Sequence, residues 1–244
     1  MITDILTIVW KDSKEFMQGS SRASSVARFL FPIAVAGIFL PWRAGHAYVT
    51  GITAAFGLLW ILPMVAVSFT VDAVAGERER HTLETLLATR LSDQAILFGK
   101  LAASVLYAWG MMLASLVVGL TTVNLRQRDD ALLLFSSAYA ATLVIVSFLG
   151  SILVCGVAVF VSVRASTVRQ AAQTLVYGSI GIIFGAMFAA QALPVSWRLS
   201  VERFLLGTSS IRSQLVAGLI FVGLDVAVLA AARYRFRRSR LILE

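Results

Sequence analysis

The residues able to do chemistry here are few, and the densest gathering of charge lies within residues 75–100. Glu77, Arg78, Glu79, Arg80 and Glu84 form a compact mixed-charge block, and Leu83, Leu86 and Leu87 follow at helical spacing on one apolar face. Paired Glu and Arg side chains beside a leucine face suit docking: the charges would set specificity and the leucines would fill a groove on a soluble partner. The same residues can also be read as an interfacial loop that follows the positive-inside rule.

Catalysis finds little support. His46 and His81 are the only histidines, and neither has HExxH or CxxC company. His81 reads as a surface residue of the charged stretch. The glycines lack the following Lys-Ser/Thr of a phosphate-binding loop. The chain is therefore expected to hold no metal or cofactor, and ATP hydrolysis, if it is used, would belong to another chain. Cys155 is the single cysteine; it cannot pair within the chain and reads as a small buried hydrophobe. Asp225 is the one acid well inside an apolar run. A carboxylate in hydrocarbon is expensive and faces a partner or a water-filled space, so it marks either an intramembrane ion or proton site or a structural hydrogen bond.

The elements that must position these residues are membrane helices. Of 244 residues, 59% are hydrophobic and 14% charged, against roughly 25% charged in a soluble domain. The fold class expected is all-α, a polytopic membrane protein forming one transmembrane domain over 1–244. Residues 1–25 hold a short amphipathic helix in the interface, too charged to span. No basic residue precedes the first apolar residues, so no cleavable signal is expected there. Six spans follow, at 26–42, 47–71, 101–123, 139–161, 175–193 and 213–232. The charged segment 72–100 separates the second and third, with Ser92 as a helix cap. Residues 194–212 read as one or two short external helices. Pro63 predicts a kink in the second span. Gly181 and Gly185, four apart in the fifth, permit close approach of a neighbouring helix.

Net charge is +8. The cations sit in short segments and at the C-terminus, with no basic groove and no interleaved stacking residues, so nucleic acid is not an expected partner. Fifteen of the 21 Lys and Arg residues fall on the side shared by 72–100 and both termini. The positive-inside rule puts that side in the cytoplasm, giving a multi-pass protein of the plasma (inner) membrane with both termini cytoplasmic.

The stretch GERERHTLETLLATRLSDQAILFGK resembles the signature of the permease subunits of ABC-2 type transporters. The Glu-Arg-Glu-Arg block, Thr82-Leu83-Glu84, Leu86-Leu87-Ala88-Thr89, Ser92 and Gly99-Lys100 carry the likeness, and the turn at Arg164–Gln173 is similar to the family's second cytoplasmic loop. Arg90 departs from it, standing where the family usually has proline. The resemblance implies a permease that pairs with a second copy or a homologous permease and with two cytoplasmic ATPase subunits, which bind ATP-Mg. It implies a coupling helix between spans two and three, with Glu77, Arg78, Glu79, Arg80 and Glu84 for docking and transmission and Leu83, Leu86 and Leu87 as the packed face. Export follows from the family alone. The other readings are a secondary transporter or channel built on Asp225, and a non-transporting membrane anchor that recruits a cytoplasmic partner.

Overall fold

A computed structural model describes residues 2–18, 30–79, 92–127, 132–165 and 167–235, and their regular structure is entirely helical. Helix α1 is Ile2–Gln18, and α2 is Leu30–Ala44. A single short turn of helix, α3, covers Ala47–Thr50. The long helices follow: α4 is Thr53–Glu79, α5 is Asp93–Arg126, α6 is Ser137–Ser162 and α7 is Val168–Ala192. Helix α8 is Val195–Leu205 and α9 is Ile211–Arg235.

Five of these, α4, α5, α6, α7 and α9, are long and apolar enough to cross a membrane. The chain is a multi-pass membrane protein. Helix α2 is apolar but shorter, and the start of the 26–42 span lies outside the described residues. At 1.5 Å per residue, α4 is about 40 Å long and α5 about 50 Å, both exceeding a hydrocarbon core of about 30 Å. Hydropathy marks where lipid surrounds a helix, whereas caps mark where the helix stops. The Ser92 hydroxyl accepts from the Ala95 amide and opens α5; Ser136 and Thr167 open α6 and α7 in the same way.

Lipid is as apolar as a leucine side chain, so membrane helices associate through close packing and hydrogen bonds rather than through expulsion from water. Helices α4 and α5 form the centre and α6 joins them, with Ala66, Ala108, Met112 and Cys155 fully enclosed. Helices α7 and α9 lie outside and are the least enclosed of the five. Helix α2 crosses α5 at Gly37, where an added Cβ would stand 2.9 Å from Val118. Four residues on, Pro41 has no amide to donate, the preceding segment Ala34–Phe39 widens into a π-helix, and the Gly37 carbonyl accepts from the Thr122 hydroxyl at 2.7 Å.

At the end remote from the charged block, the phenol of Tyr139 donates to the Gly51 carbonyl at 2.8 Å and accepts from the Ala55 amide at 3.4 Å. It thereby serves backbone groups that the start of α4 leaves unpaired. Helix α8 buries no residue and exposes Val195 and Trp197. The turn after it needs Gly207, at φ +69, where a Cβ would meet the Ala138 carbonyl oxygen at 2.6 Å.

Three expectations change. The 47–71 span is two helices, because the chain breaks at Gly51 and restarts at Thr53. Helix α4 then runs past the expected end at residue 71 to Glu79. Gly181 and Gly185 approach no helix of this chain, since no atom lies within 4 Å of a Cβ added at either.

Candidate functional site

The last turn of α4 sends three consecutive side chains to three neighbours, as a rotation of about 100° per residue requires. Glu77 turns inward and is buried. Its Oε2 lies 2.8 Å from Lys100 Nζ on α5, and its Oε1 accepts from Lys11 Nζ on α1 at 3.1 Å. Arg78 donates to the Val163 carbonyl at 2.7 Å, and Ala165 O lies 3.5 Å from the same Nη1. Both carbonyls belong to the turn between α6 and α7. Glu79 is exposed, and its Oε2 accepts from the Val168 amide, the first of α7, at 3.0 Å. That amide has no partner within its own helix, and the positive end of the helix dipole favours a carboxylate there.

Lys100 is the centre of the cluster. Its side chain is 1% exposed, and Nζ also donates to the Ala73 carbonyl at 2.7 Å and stands 3.5 Å from Asp12 Oδ2. Two carboxylates, Asp12 and Glu77, therefore meet two ammonium groups, Lys11 and Lys100. Among the described residues, three helices contribute to this group. Buried ions are tolerated when paired, and here each carboxylate has an ammonium within 3.5 Å.

Helix α1 is held to this site by shape as well as charge. Ile8 is buried against Gly99, where an added Cβ would fall 2.8 Å from its Cβ. The opposite face of α1 exposes Leu6 and Trp10, with Lys14 Nζ 5.0 Å from the indole centroid.

Of the residues singled out in the sequence, the structure brings Glu77, Arg78 and Glu79 together, each bonded within the bundle. Arg80, Leu83, Glu84, Leu86 and Leu87 lie outside the described residues, as do His81 and Arg90. Asp225 joins none of these pairs. It is 5% exposed, and neither carboxylate oxygen has a hydrogen-bond partner. His46 is exposed, 3.3 Å from the Thr50 hydroxyl.

In the sequence Lys11 and Asp12 read only as topology signals or as part of an amphipathic pattern, and Lys100 as a topology signal and the end of the family-like stretch. The usable signal was Lys100 itself, a cation at the head of an apolar run that needs a counter-ion. Among the described residues no group of acids, histidines or cysteines could hold a metal. The arrangement can transmit force and hold charge; it offers no nucleophile poised beside a base.

A search of curated proteins returns no match. A family model described as "ABC-2 family transporter protein" matches residues 5–204, covering most of α1 and the whole cluster. The chain belongs to the ABC-2 family of transporter membrane proteins.

Proposed function

We propose that this chain is the permease subunit of an ATP-driven exporter, and that residues 80–91 deliver the stroke of a separate ATPase to the ion cluster. As a family member the chain is a non-catalytic membrane component of a transporter. The observation that carries the proposal is the position of the cluster at both stumps of the excursion. Glu77, Arg78 and Glu79 end α4, Lys100 sits in the second turn of α5, and residues 80–91 bridge the two. A push on that bridge reaches α1, α4, α5 and the α6–α7 turn together through the bonds described above. In this reading α2 completes six spans, α1 lies in the interface, both termini are cytoplasmic, and a second permease completes the path.

The test is the charge reversal Glu79→Lys, with Glu79→Gln as its control, in full-length permease co-purified with its partner ABC ATPase. Glutamine can still accept from Val168, whereas lysine cannot. Expected is loss of transport-coupled, vanadate-sensitive ATPase stimulation in Glu79→Lys at normal membrane insertion, with Glu79→Gln retaining most of it. Normal coupling in Glu79→Lys would sink the reading.

Asp225 is the observation that favours a secondary transporter. Under that reading Asp225→Asn would abolish transport that proceeds without ATP.

A further inference from the structure

A long apolar slot of about 560 Å³ runs between α4, α6 and α7. Along α6 its wall extends from Thr142 to Val161, about 28 Å of helix at 1.5 Å per residue. The slot is thus long in one direction and apolar along its length. The hydroxyls along it are turned into their own helices: Thr142, Ser147, Thr174 and Ser179 each donate to a backbone carbonyl three or four residues back. What the slot presents is hydrocarbon.

The end of the slot nearest the ion cluster carries positive charge. The Arg164 amide bonds to the Val161 carbonyl at 3.0 Å, so the chain makes one more tight turn and Arg164 follows directly on the last α6 residue of the slot wall. Arg164 is exposed and in no ion pair among the described residues, and Arg169, on the first turn of α7, is likewise exposed. Glu79, the acid bonded at this corner, is engaged with the Val168 amide.

We propose that this corner binds an anionic phospholipid, with one acyl chain in the slot and the phosphate-bearing headgroup at Arg164. A soluble anion would have no use for the slot, and a neutral lipid none for the arginine. The chain gains little by leaving one apolar medium for another, so discrimination rests with the headgroup. A basic side chain at a membrane surface contributes enough to favour an anionic lipid about fivefold.

The test reconstitutes the full chain in vesicles of equimolar phosphatidylglycerol and phosphatidylcholine, extracts it gently and quantifies the lipid that co-purifies. Wild type should retain phosphatidylglycerol in excess. Arg164→Gln should reduce the ratio of the two lipids about fivefold. Gly178→Leu grows a side chain into the slot, where a new Cβ meets no atom within 4 Å. It should lower total retained lipid while leaving the melting temperature unchanged. An unchanged ratio in Arg164→Gln, or unchanged retention in Gly178→Leu, would overturn the proposal. So would displacement of the retained lipid by millimolar inorganic phosphate alone, which would mark an anion site without a chain.

Discussion

Replacing Lys100 by methionine keeps the length of the side chain and deletes its charge. Three oxygens lose their partner: Ala73 O at 2.7 Å, Glu77 Oε2 at 2.8 Å and Asp12 Oδ2 at 3.5 Å. Glu77 keeps its pair with Lys11, whose side chain is 37% exposed, while both carboxylates lose the buried ammonium. Removing one partner of a buried pair costs about 3–5 kcal/mol because the remaining charge stays buried. An exposed pair is worth about 0–1 kcal/mol, so Lys11→Met should cost less than about 1 kcal/mol, its ammonium being partly solvated. Adding Glu77→Gln to Lys100→Met removes one of the two buried carboxylates that lost this ammonium and should recover part of the loss. Equilibrium unfolding in mixed micelles with increasing denaturing detergent measures all of these variants on one scale. If Lys100→Met lies within about 1 kcal/mol of wild type, or Lys11→Met costs as much as Lys100→Met, the cluster does not act as a buried unit and the reasoning fails.

Gly99→Leu should drive Ile8 out of its seat and release α1, seen as faster proteolysis between α1 and α2 and a shift in Trp10 emission, with the other helices intact. Tyr139→Phe removes the donor to Gly51 O and the acceptor for Ala55 N at constant ring packing. It should cost about 1–2 kcal/mol in the same unfolding assay. Thr122→Val deprives the Gly37 carbonyl, next to the Pro41 gap, of its 2.7 Å bond. An expected loss of about 1 kcal/mol would be contradicted by a neutral or stabilised variant.

Much of the bundle is legible in the sequence because helices that lie against lipid must be apolar for about 20 residues, and the runs behind α5, α6, α7 and α9 are. The Ser92 cap is legible for the same local reason. What escapes is what depends on a distant partner. Residues 72–79 read as the start of a polar excursion, yet α4 continues through them because Val74, Ala75 and Glu77 are buried against neighbouring helices. Lys11 and Glu77 are 66 residues apart in the chain, and no periodicity reveals that they meet. The Glu-Arg-Glu run reads as a docking surface when its charges are taken as facing outward. In the fold its three side chains also engage Lys11, Lys100, the α6–α7 turn and the start of α7.

The order in which the ribosome makes the cluster has a consequence of its own. Lys11 and Asp12 are synthesised first and Glu77 later, and Lys100 emerges 23 residues after Glu77. At about 5–20 residues per second, that interval is about 1–5 s. Through it, α4 is complete while the cation that its final turn is built around does not yet exist. Lys11 is then the one ammonium of the four-residue group that Glu77 can meet. Of the two ammonium groups, the one on the amino-terminal helix is already made when Glu77 is; in the finished cluster it holds the partly exposed edge and Lys100 the buried centre.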